Sequence, residues 1–112
     1  MNTAAQYQQA LSHRHHGRLD EAVRLFGDVL RRDPQHIDSL LGLADLALRL
    51  RRTIAARQFL AKAQKMAPQH PRVWVLHGLL DEADGHTGDA LAHFQRAVAC
   101  GSQSYVAHYH LG

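Results

Sequence analysis

"DPQHIDSLLGLA", residues 33–44, returns as "APQHPRVWVLHG", residues 67–78, with Pro-Gln-His and an apolar run recurring 34 positions later. The same interval aligns Ala22 with Ala56 and Ala90, Phe26 with Leu60 and Phe94, and Val29 with Ala63 and Ala97. Gly17 aligns with Arg51 and Gly85, and Leu40 with Trp74. Columns of small and large apolar residues at a fixed period mark a repeated supersecondary unit, which buries its apolar face only by stacking on its neighbours.

Within a unit the apolar spacing predicts two helices. "IDSLLGLADLALRL" carries Leu40, Leu43, Ala44 and Ala47 at helical intervals, and "TIAARQFLAKAQKM" carries Ala56, Leu60 and Ala63. A turn separates them, marked in the other units by Gly17 and Gly85, where glycine leaves a helix through positive φ at little cost. Pro34 and Pro68 act at the other junction. Each excludes the residue before it, Asp33 or Ala67, from helical geometry and suits the opening of the next helix.

The chain has 112 residues, 46% hydrophobic and 21% charged, enough for one module and too few for two ordinary domains. The start "MNTAAQYQQALSHRHHG" lacks a secretory pattern, and no apolar stretch approaches the roughly 20 residues of a membrane span, so a cytoplasmic protein without membrane insertion is expected. Cys100 is the single cysteine, which excludes an internal disulfide and suits a reducing compartment.

These residues resemble the tetratricopeptide repeat (TPR), whose 34-residue helix-turn-helix unit carries Trp-x2-Leu-Gly-x2-Tyr followed by Ala, Phe, Ala and Pro. The third unit shows Trp74, Gly78, Gly85, Ala90, Phe94 and Ala97; the second shows Leu40, Leu43, Ala44, Ala47, Ala56, Leu60, Ala63 and Pro68. In the first, "GRLDEAVRLFGDVLRRDP" fits the second helix, whereas Gln6 and Gln9 replace large apolar residues, as an end unit facing water would. His77 and Asp81 depart from the pattern at packing positions; four apart on one helix, they are expected to hydrogen-bond to each other. The resemblance implies an all-α, right-handed superhelix filling residues 1–112, with repeats at about 3–36, 37–70 and 71–104. A fourth repeat begins at 105–112, where "SYVAHYHLG" puts His108, Leu111 and Gly112 at the Trp, Leu and Gly places. A stop in mid-helix predicts a fragment whose edge, formed by Phe94, Ala97 and Val98, pairs with a second copy.

No phosphate-cradling glycine loop and no nucleophile–base pair stands at motif spacing, so no catalytic residue and no cofactor is expected. Ten histidines invite a metal reading, and "HRHH", residues 13–16, is the densest group. His13 and His16 share a helix side but His15 does not, and no carboxylate or cysteine stands at ligand spacing; a solvated helix end is the plainer account. His36 and His70 share one column between repeats, where a polar loop residue is ordinary.

Seven basic residues, Arg49, Arg51, Arg52, Arg57, Lys62, Lys65 and Arg72, lie between Asp45 and Asp81 with no acidic residue among them. They suggest nucleic acid or an acidic protein as a partner. The net charge is only +3, no stacking aromatics interleave, and in the family Arg57, Lys62 and Lys65 fall on the outer surface, so a solvated basic face is favoured. A protein or peptide partner is preferred. The resemblance places the inner, concave surface on the first helices, at positions two, five, nine and twelve of each unit. Here these are Ala4, Tyr7, Leu11 and Arg14; Asp38, Leu41, Asp45 and Leu48; Arg72, Val75, Leu79 and Glu82; then Val106 and Tyr109. The predicted groove therefore binds a peptide or amphipathic segment through Tyr7, Leu11, Leu41, Leu48, Val75, Leu79 and Tyr109, with the carboxylates of Asp45 and Glu82 orienting it. Members that clamp acidic chaperone tails carry Lys and Asn at positions five and nine, so Tyr7, Leu11, Leu41 and Asp45 argue against that ligand. An alternative follows from "HGRLDEAVRLFGDVLRRDPQHIDSLLGLA", which resembles repeat arrays found ahead of bacterial glycosyltransferase, methyltransferase or sulfotransferase domains.

Overall fold

The computed structural model describes residues 3–101. Six helices fill them, α1 (Thr3–His15), α2 (Leu19–Arg32), α3 (Ile37–Arg49), α4 (Thr53–Met66), α5 (Pro71–Ala83) and α6 (Thr87–Ala99), and no strand occurs among the described residues. The odd-numbered helices begin at residues 3, 37 and 71 and the even-numbered at 19, 53 and 87, both at intervals of 34. None is long and apolar enough to cross a membrane. The expected fourth unit, with Val106 and Tyr109, lies outside the described residues.

Each odd helix ends the same way. Gly17, Arg51 and Gly85 have φ of 77°, 59° and 79°. In the turn after α1, Gly17 N–H donates to Arg14 O and Arg18 N–H to His13 O (2.8 Å); Arg51 and Arg52, and Gly85 and His86, repeat the pattern on Leu48 and Ala47, and on Glu82 and Asp81. The six-to-one bond satisfies a carbonyl that the helix end would otherwise leave without a donor. The recurrent Pro-Gln-His has an equally local cause. His36 Nδ1 accepts from Ser39 N–H and His70 Nδ1 from Arg72 N–H, both at 3.2 Å, so the histidines cap α3 and α5, and Pro71 takes the first turn, where no N–H is required.

Two compact units divide the chain between Phe59 and Leu60, inside α4. In the first, Ala10, Ala22, Leu25, Phe26, Leu43 and Leu46 form the core. Phe26 has no exposed surface, and a Cβ added to Gly42 would stand 2.8 Å from its ring tip, so the glycine is what lets α2 and α3 close. Burying such a ring contributes about 1.5–3 kcal/mol. Gln9 is exposed as an end unit requires, but Gln6 is only 6% exposed and its Oε1 is buried without a partner, so the expectation of water on that face fails for Gln6.

In the second unit Val73, Leu80, Ala90, Phe94 and Ala97 pack between α5 and α6, and Phe94 lies against Gly78. Beside them is a polar stack. Trp74 Nε1 donates to Pro68 O at 2.9 Å, its ring lies 5.3 Å from His77 and 5.8 Å from His93, and the Arg96 guanidinium sits 4.0 Å from its centroid. Both members of the expected His77–Asp81 pair also reach other helices. Asp81 meets His93 Nδ1 at 2.5 Å and His77 Nε2 meets Gln64 at 2.7 Å, so each group has a partner on a neighbouring helix. Phe94 and Ala97, expected to form an open edge, are 1% and 0% exposed; Leu91, at 43%, is the large apolar side chain that α6 exposes.

Candidate partner-binding face

Helical spacing sets Tyr7 and Leu11 four residues apart on α1, where both are half-buried against the first core. The Tyr7 ring lies 5.8 Å from Phe26 and 5.1 Å from His36, tilted against each, so its position is fixed by packing. On α3, Leu48 and Asp45 are half-buried, whereas Leu41 has no exposed surface. Leu41, expected as a contact residue, therefore lies beneath this face rather than on its surface.

Asp45 also differs from expectation. Its Oδ2 lies 3.6 Å from Arg14 Nη1 and 3.3 Å from Arg49 Nε, so two guanidinium groups, one from α1 and one from its own helix, already oppose the carboxylate. It is not a bare anion facing a ligand. The structure thus joins Arg14 and Asp45, both expected on the inner surface, and adds Arg49, counted until now only among the basic run. Spacing alone signals Asp45 and Arg49 at four residues apart; the Arg14 contact needs two helices side by side. Next to the three charges opens a cavity of about 420 Å³ lined by Leu11, Arg14, His15 and Arg49.

In the second unit Val75 is buried at 8% exposure, while Leu79 and Glu82 are half-buried. Glu82 borders an open cavity of about 260 Å³ with Thr87, Ala90, Leu91 and Phe94. Tyr109 lies outside the described residues. The His13–His16 run is engaged locally: His16 Nδ1 pairs with Ser12 O at 2.8 Å and its ring meets His15 edge-on. Among the described residues no group of three or more His, Cys, Asp or Glu is arranged to hold a metal ion.

The tetratricopeptide repeat family model matches residues 4–80. Among curated proteins none matches. Solved structures similar to the chain include the first TPR of Spaghetti (RPAP3) bound to the HSP90 peptide SRMEEVD, with TM-score 0.85, 16% identity, and coverage of 97% of this chain and 86% of that one. The Arabidopsis OM64 TPR domain gives 0.85 at 16% identity over 97% and 90% of the two chains. MamA from Desulfovibrio magneticus RS-1 gives 0.79 at 24% over 98% and 62%. At these identities the likeness is one of fold. The matched repeats, the 34-residue spacing of helix starts and the three equivalent turns agree: the chain belongs to the tetratricopeptide repeat family.

Proposed function

We propose that the first-helix faces hold an extended or helical segment of a partner protein, mainly through apolar contact, and that the chain is a scaffold rather than an enzyme. The observation that carries this reading is the set of partly accessible apolar side chains Tyr7, Leu11 and Leu48 in the first unit, matched by Leu79 in the second. Apolar surface held partly open to water at helical spacing favours an apolar or amphipathic ligand, and a packed tyrosine adds area at little loss of side-chain freedom. A TPR bound to an HSP90 peptide among the structural neighbours supports peptide holding as a use of the fold. Tyr7, Leu11, Leu41 and Asp45 stand where a chaperone-tail clamp carries Lys and Asn, so that ligand is disfavoured.

The test is anisotropy of labelled amphipathic peptides titrated with the full chain at low and high salt. Tyr7→Ala, checked for retained helicity, should weaken binding by about 1–2 kcal/mol, whereas the exposed Arg57→Ala should leave it nearly unchanged. Apolar contact predicts a shallow salt slope. A steep slope, with Tyr7→Ala neutral and Arg57→Ala weak, would transfer the function to the basic 49–72 segment and to nucleic acid or an acidic partner.

A further inference from the structure

We propose that the Arg14–Asp45–Arg49 cluster is an anion subsite, which takes the carboxylate of a Glu or Asp lying beside an apolar residue in the bound segment. This rests on the peptide-holding reading above and names the chemistry its ligand carries at one point.

Two guanidinium groups face one carboxylate, which leaves the cluster with net positive charge beside a cavity of about 420 Å³. Geometry leaves donors available as well. The two arginines converge on the same oxygen, Asp45 Oδ2, Arg14 through Nη1 and Arg49 through Nε. The Arg14 contact, at 3.6 Å, exceeds hydrogen-bond length, so it is Coulombic attraction that leaves the N–H groups unsaturated by Asp45. A guanidinium carries five N–H donors in a planar fork suited to bidentate carboxylate binding. A second carboxylate between the forks would complete a neutral quartet of two cations and two anions.

The surroundings select further. With side-chain exposures of 24% for Arg14 and 19% for Asp45, the cluster is partly withdrawn from water, while Arg49, at 54%, remains open to an incoming group. Leu11 lines the same cavity and supplies an apolar wall for the neighbouring residue of the ligand; His15 closes the rim. The reading inverts the role first expected of Asp45. The carboxylate holds two arginines in place and competes with the ligand's acid, instead of orienting the ligand directly.

Two arms test this on the full chain. In the first, the side-chain N–H signals of the arginines are followed by NMR during titration with N-acetylglutamate and, separately, N-acetylglutamine. Saturable shifts confined to Arg14 and Arg49, seen with the acid alone, enlarged in Asp45→Asn and lost in Arg14→Gln, are expected. Equal drift of all arginines, or no shift, would overturn the proposal. In the second arm, apolar peptides identical except for one Glu, Gln or Lys are compared. The Glu peptide should bind about ten-fold more tightly than the Gln peptide, the scale of one charged hydrogen-bonded contact, and Arg49→Gln should erase the difference while Gln-peptide binding survives. Equal Glu and Gln binding leaves the apolar face standing and overturns the subsite, as does preference for Lys. Failure of every peptide, with the acetylglutamate shifts intact, supports the subsite and removes the groove reading. Displacement of acetylglutamate by single-stranded DNA at lower concentration than by the Glu peptide overturns the proposal in favour of nucleic acid.

Discussion

Adding one methyl group at Gly78 should destabilise the protein, and adding the same group at Gly27 should do the opposite. Both glycines sit inside helices, so replacement by alanine brings about 1 kcal/mol of helix propensity in either case. At Gly27 a new Cβ meets nothing within 4 Å, and the propensity gain stands. At Gly78 it lies 2.6 Å from Phe94 Cε1 and 2.8 Å from Cδ1 and Cζ, where ordinary carbon contacts lie near 3.5–4.0 Å. The ring is 1% exposed, so about 1 Å of retreat has to come from the ring edging toward the cavity it borders or from α5 and α6 parting. Overpacking of this kind costs about 1–3 kcal/mol, and the crowding of three ring atoms sets the estimate in the upper half. Net destabilisation of about 1–2 kcal/mol follows, against stabilisation of up to about 1 kcal/mol for Gly27→Ala. Urea denaturation followed by far-UV circular dichroism reads both. Phe94→Leu should rescue Gly78→Ala, with a favourable coupling of about 1 kcal/mol in the double-mutant cycle, since the branched chain lacks the clashing ring edge. A Gly78→Ala midpoint at or above that of the parent would refute the reasoning, because it would mean that the ring and α6 yield without loss.

Arg51→Gly should raise the thermal midpoint, worth about 0.5–1 kcal/mol, because relief of a left-handed backbone outweighs the greater freedom of glycine in the unfolded chain; a lowered midpoint would contradict this. His93→Leu should cost about 2–3 kcal/mol in chemical denaturation by stranding the 7%-exposed Asp81, and His93→Leu with Asp81→Leu should recover most of it; a neutral single variant would show that the pair contributes nothing. We further expect concentration-dependent association through the α6 surface around Leu91, reduced by Leu91→Asp in sedimentation experiments; a parent chain that stays monomeric at high concentration counts against it.

Helix positions were legible in the sequence because their causes are local. The 34-residue period, the small and large apolar columns, the turn glycines and the prolines each act within a few residues of themselves, and Arg51 betrays its left-handed backbone by sharing a column with Gly17 and Gly85. Pairings between helices were not legible. The spacing of His77 and Asp81 suits a bond along one helix, yet His93 is 12 residues from Asp81 and Gln64 is 13 from His77, and only the packed helices bring them together. The ion pair of Asp45 was not legible for the same reason, since its partner Arg14 belongs to another helix. Position in the repeat likewise marked Leu41 for the binding face but carried no information on depth, which depends on how closely the neighbouring side chains seal over it. The histidine caps stood in plain view, one residue ahead of α3 and α5, but imidazole is an uncommon capping group and the shared column alone did not reveal its task.

Trp74 is the single tryptophan of the chain, and all the ring contacts described for it belong to the second unit. Its emission is therefore an optical label on that unit alone, already in place without a dye, and sensitive to any separation of the ring from His77, His93 and Arg96. The helical signal, by contrast, averages over both units, with all six helices of the described residues contributing. If the two units melt as one, both signals fall along a single curve; if the first unravels ahead of the second, ellipticity is lost while the indole still reports an intact stack. One aromatic ring in its setting thus turns an ordinary melt into a measure of how strongly neighbouring repeats hold each other folded.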